Sequence, residues 1–168
     1  MRYRLLNALV VLLVTAIVLQ LIFQPRPLLV WNATHSAPTG LYRRSMGDIA
    51  KDSWVLIWPP KAAADLAASR GYLPPHVPMV KRVAALSGDV VCRNGNTVSI
   101  NGQRKATALR ADSLARPLPR WSGCTSLRNG QLFLLTAPAT SFDGRYFGPV
   151  PVSNLIERIE PLWTSSAQ

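Results

Sequence analysis

The sequence predicts a mostly β domain that follows a single apolar helix at the amino end. Three observations support this fold class. Residues 5–23 carry no charged side chain. Prolines recur along the rest of the chain and interrupt long helices, because proline lacks a main-chain N–H and clashes with the preceding turn. Short β-branched and aromatic runs lie between turn residues, a pattern that indicates strands. Together they predict a folded or barrel-like antiparallel sheet.

The apolar run at residues 5–23 reads LLNALVVLLVTAIVLQLIF. A helix of this length spans about 28 Å, close to the hydrocarbon thickness of a bilayer. A cleaved signal peptide would have a shorter run and a small-residue cleavage site. We therefore expect a retained transmembrane anchor. Two arginines in residues 1–4 favour a cytoplasmic amino end, which places residues 24–168 at the periplasmic face of a bacterial inner membrane.

The sequence after the apolar run predicts short strands and one short helix. The sequence Asn94-Gly95 is a hairpin signal, and alanines favour one short helix. Residues 103–130 are rich in arginine and poor in aliphatic side chains, which predicts a poorly packed insertion. This insertion belongs to a small cap over about residues 92–130. The predicted strands cover residues 53–58, 77–86, 90–92, 97–100 and 131–136, the helix covers 61–70, and 150–159 is a strand or a short turn of helix.

The two cysteines, Cys92 and Cys124, predict a disulfide in an oxidising compartment. A zinc site would need further ligands, and the only histidines are His35 and His76. Two free buried thiols are the alternative. The disulfide would close the base of the insertion.

The formal net charge of +11 suits a nucleic acid or anionic lipid headgroups. The sequence contains no nucleic-acid-binding motif, and its basic and aromatic residues are not regularly interleaved. Beside an apolar anchor, this charge favours the lipid bilayer as a partner, and we expect no nucleic acid.

Ser36 and Lys81 are the residues that could perform nucleophilic chemistry. A serine activated by a lysine needs a neutral amine, so burial must lower the lysine pKa by about two to three units from about 10.4. On a strand, Lys81 and Arg82 point to opposite faces, and two adjacent cations cannot both be buried. Three alternatives stay open: a surface Lys81–Arg82 pair, a simple turn at Ser36, and a Ser-His-Asp triad with His76.

Four motifs, in the same order along the chain, resemble those of type I signal peptidases, the S26 family. Ala37 stands where ordinary members have methionine, and the pattern S-x-P-x-G-x-Y is similar to the conjugative-transfer, TraF-type branch. The resemblance implies a signal-peptidase-like folded sheet. The motifs are Ser36-Ala37-Pro38-Thr39-Gly40-Leu41-Tyr42, Gly47-Asp48-Ile49, Val80-Lys81-Arg82-Val83 with Gly88-Asp89, and Ser141-Phe142-Asp143-Gly144-Arg145-Tyr146-Phe147-Gly148.

The resemblance also implies residue roles. Ser36 matches the nucleophile and Lys81 the general base, and the Ser36 N–H with the Thr34 hydroxyl matches the oxyanion site. Ser141 matches a serine that orients the lysine amine. The supporting residues Asp143 and Arg145 match an ion pair beside the site. Gly144 replaces the usual serine of the family. No metal or cofactor is required.

By this resemblance the chain is a membrane-bound serine endopeptidase with a Ser/Lys dyad. Its expected substrate is a membrane-held, pilin-like precursor, which it matures and, in some relatives, cyclises. Other components of a conjugation or secretion machine are further expected partners. Two alternatives stay open: a general signal peptidase that removes secretory leader peptides, and a non-catalytic assembly component of a conjugation channel.

Overall fold

The computed structural model describes residues 2–23 and 28–165. The first helix, α1, covers Arg2–Phe23. The side chains of residues 3–19 are all exposed. Within the described part of the chain, no helix has the length and apolarity needed to cross a membrane. The transmembrane anchor at residues 5–23 therefore stays a prediction.

Residues 28–165 form eleven strands in two antiparallel sheets, with two further short helices. This confirms the predicted mostly β, antiparallel class. The elements are β1 (Leu29–Asn32), β2 (Gly40–Arg44), β3 (Trp54–Ile57), α2 (Lys61–Ser69), β4 (Met79–Ala85), β5 (Val90–Asn94), β6 (Thr97–Ile100), β7 (Gln103–Thr107), β8 (Gly123–Ser126), β9 (Gln131–Leu135), α3 (Gly144–Phe147), β10 (Val150–Pro151) and β11 (Leu155–Thr164), with one 3₁₀ turn at Val152–Asn154.

The larger sheet has the order β1-β2-β11-β3-β4-β9-β10, and the smaller has the order β7-β6-β5-β8. Strand β11 curls the larger sheet. Its first half pairs with β3 and its second half with β2, and its register shifts between Pro161 and Trp163. Strand β1 is the first in this order, so β1 and the loop that follows it lie at one edge of the sheet.

Strand β4 lies inside the larger sheet and touches every part of the core. Its side chains enter three separate buried clusters: Val83 lies in the first, Ala85 in the second and Val80 in the third. The neighbouring β3 is buried over Val55, Leu56 and Ile57. An apolar run that is buried on both faces is typical of a strand covered on both sides. A polar side chain that points into the core from β4 is therefore enclosed by its surroundings.

Most side chains of residues 103–130 are exposed, in keeping with the predicted poor packing, but the segment has regular structure and a few anchoring contacts. This segment contains β7 and β8, and its Ala108, Leu118 and Leu127 are buried. Strand pairing uses main-chain groups, so an arginine-rich sequence can join a sheet whose other strands supply the apolar side chains. A few well-spaced aliphatic residues are then enough to attach the segment to the core.

The disulfide between Cys92 and Cys124 is present, which confirms that prediction over two free thiols. The two cysteines face each other directly on the antiparallel strands β5 and β8. The hairpin predicted at Asn94-Gly95 is also present, since Asn94 pairs with Thr97 across the turn between β5 and β6. The small sheet is thus closed at one edge by a covalent bond.

Candidate active site

Ser36 lies in the loop of residues 33–39 between β1 and β2, which we call the nucleophile loop. The buried side chain of Asn32 organises this loop. Its Nδ2 group lies 2.9, 3.2 and 3.0 Å from the carbonyl oxygens of Thr34, Ala37 and Pro38, and donates to them. The loop is therefore folded around one amide group at the end of β1.

The motif S-x-P-x-G-x-Y has a direct structural explanation. The Tyr42 hydroxyl donates to the Pro38 carbonyl at 2.7 Å, and burial raises the pKa of Tyr42 to about 12, so it remains a donor. Gly40 has φ +139°, and a Cβ atom there would lie 2.2 Å from the Trp163 carbonyl oxygen of β11. Proline, glycine and tyrosine therefore fix how the nucleophile loop returns to the sheet.

The hydroxyl groups of Ser36 and Thr34 lie 3.1 Å apart. The Thr34 hydroxyl donates its single proton to Asn32 Oδ1 at 2.9 Å, so Ser36 is the donor to Thr34. No hydrogen bond among the described residues uses the Ser36 main-chain N–H. That N–H can therefore donate to an oxyanion. The Thr34 hydroxyl could do so only after its hydrogen bond to Asn32 Oδ1 is broken.

Lys81 is 2% exposed on β4, whereas the adjacent Arg82 is exposed. The Lys81 Nζ atom donates to Ser141 Oγ at 2.9 Å. Burial lowers the pKa of Lys81 to about 8; the Asp143 carboxylate opposes this shift and the Arg145 guanidinium adds to it. A substantial fraction of this amine is therefore neutral near pH 8, as a general base requires.

A directed chain of hydrogen bonds extends from Lys81, and we call its five residues the base network. Ser141 and Thr136 place their hydroxyl oxygens 2.6 Å apart, and the Thr136 hydroxyl donates to Asp143 Oδ2 at 3.3 Å. Each hydroxyl has one proton, so Ser141 accepts from Lys81 and donates to Thr136. The base network consists of Lys81, Ser141, Thr136, Asp143 and Arg145. Ser141 thereby holds the amine without an ion pair.

Asp143 and Arg145 form a fully buried ion pair that ends this chain. Arg145 Nε lies 2.8 Å from Oδ1 and Nη2 lies 3.1 Å from Oδ2 of Asp143, a bidentate arrangement. Arg145 also donates to the main-chain oxygens of Thr136 and Ala139. Asp143 accepts from the Arg145 main-chain N–H and so caps α3. The pair is satisfied by hydrogen bonds on both sides, as a buried pair needs.

The glycine at position 144 follows from close packing. A Cβ atom there would lie 2.6 Å from the Leu134 carbonyl oxygen and 3.0 Å from the Phe133 ring. The serine usual in this motif has no room beside β9. Position 144 therefore serves close packing and contributes no side chain to the chemistry.

Ser36 and Lys81 line one cavity of about 720 Å³ between the β1 edge and β4. No hydrogen bond of the described residues joins them, since Ser36 donates to Thr34 and Lys81 donates to Ser141. His76 borders a different, smaller cavity beside α2. The structure thus brings the serine and the lysine to one cavity and leaves the histidine of the triad alternative elsewhere.

The Gly88-Asp89 part of the lysine motif and the glycine of the Gly47-Asp48-Ile49 motif have structural roles. Asp89 accepts from the Leu86 N–H at 2.9 Å, from Lys51 Nζ at 2.8 Å and from Asn101 Nδ2 at 2.7 Å. These hydrogen bonds, opposed by burial, hold the pKa of Asp89 at about 2. Gly47 packs against the Arg158 guanidinium. Asp89 therefore closes the turn that joins the larger sheet to the smaller one.

Asn32 and Thr136 belong to the site although sequence reasoning did not select them. Asn32 ends a four-residue strand and Thr136 directly follows β9. Neither residue type is unusual at a strand end. Asn32 binds mainly main-chain carbonyls of its own loop, and Thr136 binds the side chains of Ser141 and Asp143. The only available signal was their position within four residues of Ser36 and five of Ser141.

Comparison with known proteins identifies the family. The model of the family described as "Signal peptidase, peptidase S26" matches residues 2–163. This chain belongs to the peptidase S26 family. A plasmid transfer protein TraF of Escherichia coli is 38% identical over 144 residues, covering 79% of this chain and 81% of that relative. A conjugal transfer protein TraF of Agrobacterium fabrum is 32% identical over 148 residues, with the same coverage.

Among solved structures, a signal peptidase I of Enterococcus faecalis matches 69% of this S26 member and 100% of its own chain. The two are 17% identical, with a TM-score of 0.41. At that distance the likeness adds nothing to the family assignment. Membership in S26 supports a peptidase and an association with membranes.

Proposed function

We propose that this S26 member is a membrane-bound serine endopeptidase with a Ser36/Lys81 dyad. The observation that carries the proposal is Lys81: a buried amine with a lowered pKa, held by a neutral hydroxyl, in the cavity that Ser36 also lines. A lysine that only formed a structural ion pair would contact a carboxylate directly. Here Asp143 pairs with Arg145 instead.

In the proposed reaction, the Ser36 Oγ–H leaves Thr34 and gives its proton to neutral Lys81. The Oγ atom attacks the scissile carbonyl carbon, and the oxyanion accepts from the Ser36 N–H. Lys81 returns the proton to the leaving amine as the peptide bond breaks. Water, deprotonated by Lys81, then hydrolyses the acyl-enzyme and restores Ser36. An amine in place of that water would form a new peptide bond and close a ring.

We further propose that the substrate is a membrane-held, pilin-like precursor of a conjugation system. The similarity to plasmid and conjugal transfer proteins supports this role over general leader removal. The uncharged run of residues 5–23 supports an anchor that holds the site at the periplasmic membrane face. A precursor anchored in the same bilayer would then meet the cavity at high local concentration.

The test is co-expression of a conjugative pilin precursor with the full chain or its variants, read by mass spectrometry. We expect Ser36→Ala and Lys81→Met each to abolish processing, a loss of roughly 10³-fold or more. The matched controls are Ser153→Ala and Lys61→Met, which replace exposed residues outside the cavity. Normal processing by either Ser36→Ala or Lys81→Met would contradict the proposed dyad. Equal processing of ordinary secretory precursors would favour a general signal peptidase.

A further inference from the structure

The smaller sheet and the connection that precedes β8 reach the base network at α3, the short helix that carries Arg145. Arg93 of β5 donates through Nη1 to the main-chain carbonyl of Arg145. Trp121, which lies just before β8, donates through Nε1 to the Gly144 carbonyl at 3.0 Å. Two consecutive carbonyl groups of α3 therefore accept hydrogen bonds from side chains that belong to the other sheet and its connection.

Arg93 is a buried cation without a carboxylate partner. It is 1% exposed, and none of the ion pairs found in residues 2–23 and 28–165 includes it. It also donates to the carbonyl oxygens of Gly95 at 3.1 Å and Pro119 at 3.3 Å. Burial lowers the pKa of Arg93; nearby Arg120 adds to this shift and Tyr146 opposes it. Because a buried charge without a counter-charge costs stability, the contribution of Arg93 lies in the segments that it joins.

Helix α3 needs such external support because it is short. It has four residues, whereas an isolated helix of fewer than about 12 residues is marginal in water. In a longer helix the Arg145 carbonyl would accept from the residue four positions later, but that residue is Pro149, which has no main-chain N–H. Among the described residues, Arg93 alone donates to this carbonyl. Its positive charge also suits the carboxyl end of a helix.

A fixed main chain at Arg145 places the rest of the base network. The Arg145 guanidinium is buried and binds both carboxylate oxygens of Asp143. Asp143 accepts from the Thr136 hydroxyl, and the chain of hydrogen bonds continues through Ser141 to Lys81 Nζ. A movement of α3 would therefore reach the lysine through side chains that are already hydrogen-bonded to each other.

We infer that Arg93 is a positioning residue for the proposed general base: it holds α3 by the Arg145 carbonyl and so keeps the base network packed around Lys81. Arg93 does not line the cavity that Ser36 and Lys81 share, so it touches none of the reacting atoms. Its own charge is not a cause of the lowered pKa of Lys81, which burial, Asp143 and Arg145 set. This inference rests on the proposed function.

Loss of Arg93 should raise the pKa of Lys81. Burial is the largest cause that lowers this pKa, and water that enters beside a loosened α3 reduces it. Asp143 raises the pKa and Arg145 lowers it, so their effects partly cancel when the pair moves. The other titratable groups of the described residues that line the cavity are Tyr72, Asp112 and Tyr146. Asp112 is already paired with Arg116 Nε at 2.7 Å, outside the base network.

The test is an NMR titration of the lysine side chains in the full chain carrying Ser36→Ala, in detergent micelles. The chain has four lysines, and the Lys81 signal is the one that Lys81→Met removes. We expect a midpoint near 8 in the parent chain and an upward shift of roughly 0.5–1 pH unit in Arg93→Met. Arg93→Lys, which keeps a cationic donor, should give a smaller shift. Arg104→Met is the matched control, because Arg104 is exposed on the same sheet and donates to Thr107.

A second variant tests the same support with less risk to folding. Trp121→Phe removes the donor to the Gly144 carbonyl but keeps an aromatic ring beside Phe133. It should shift the Lys81 midpoint upward by less than Arg93→Met does. Urea denaturation of each variant shows how much stability is lost, so that a shift in the midpoint is separated from a general loss of structure.

An unchanged Lys81 midpoint in folded Arg93→Met and Trp121→Phe would overturn the inference, whatever stability is lost. So would an equal shift in Arg104→Met. A midpoint that Arg93→Met shifts, in a chain whose wild type cleaves no precursor, would retain the positioning role and refute the peptidase function. Cleavage by the wild type with an unmoved midpoint in both variants would refute the positioning role alone.

Discussion

The nucleophile loop and the base network meet at one cavity but are built in opposite ways. The nucleophile loop is partly exposed and contains no carboxylate, lysine or arginine, and it is organised by the side chain of Asn32 at a sheet edge. The base network is buried inside the sheet and ends in an ion pair. Serine needs only to be placed, whereas lysine needs its pKa lowered, and burial is the largest cause of that lowering here. Substitutions in the nucleophile loop and in the base network should therefore have different effects on stability and on the pH profile of activity.

The largest effect is expected at the end of the base network. Asp143→Ala leaves Arg145 buried without its carboxylate, and breaking a buried pair from one side costs about 3–5 kcal/mol of unfolding free energy. Urea denaturation measures this loss. The control Asp65→Ala removes an exposed carboxylate paired with Lys61 and should cost less than about 1 kcal/mol. A cost for Asp143→Ala as small as the control's would show that the pair is not a support.

The burial of Lys81 should appear in the pH dependence of stability. Its folded-state pKa of about 8 lies below the unfolded value of 10.5, so the unfolded chain binds more protons between those values. Stability from this group therefore rises with pH across that window, by about 3 kcal/mol. Below pH 8 Lys81 is protonated in the folded chain, and the free-energy cost of burying its charge is fully present. Denaturation of Lys81→Met should lack this rise, and an identical rise in the variant would contradict the assignment.

A smaller effect is expected from the hydroxyl that holds the amine. Ser141→Ala removes the hydrogen bond to Lys81 Nζ, and we expect kcat to fall roughly 10- to 100-fold, because hydrogen bonds to charged or ionising groups are worth about 1.5–3 kcal/mol. The midpoint of the pH profile should also move to lower pH, because the lost hydrogen bond from Lys81 Nζ favours the protonated amine. Ser141→Thr, which keeps the hydroxyl, is the partial rescue. A fall in kcat with an unmoved midpoint would indicate a purely structural role.

The smallest effect of this series is expected at the nucleophile loop. Asn32→Ala removes the amide that joins the loop carbonyls, which costs about 1–2 kcal/mol of unfolding free energy. Activity should fall because Ser36 is less well placed, while the midpoint of the pH profile stays at the wild-type value. Steady-state kinetics across pH separate the nucleophile loop from the base network. A shifted midpoint in Asn32→Ala would show that the two are coupled.

The sequence predicted the elements whose side-chain pattern is local. Lys81 lies on an apolar strand beside an exposed Arg82, and Asn94-Gly95 makes a hairpin, because alternation and turn preferences act over a few residues. Strands β1 and β2 were not predicted, since they are short and interrupted by the nucleophile loop. Their stability comes from pairing with each other and with the distant β11.

The candidate site was only partly predictable, because some of its residues are recognised only by their contacts in the folded chain. Family motifs pointed to Ser36, Lys81, Ser141, Asp143 and Arg145, which the structure gathers around the cavity or beside it. Thr136 had no signal beyond its position five residues before Ser141. Residues 109–118 had none, because their partners Tyr72 and Tyr146 lie far along the chain. Asp112 is one of eight acidic residues and looks ordinary until Tyr72 and Arg116 are seen to surround it.

The most direct measurement of the central claim is the pH dependence of kcat/KM for precursor cleavage. If neutral Lys81 is the base, activity rises with pH through a midpoint near 8 and is unchanged in profile by His76→Ala. A midpoint near 6.5, the ordinary value of histidine, that disappears in His76→Ala would contradict the dyad and restore the triad.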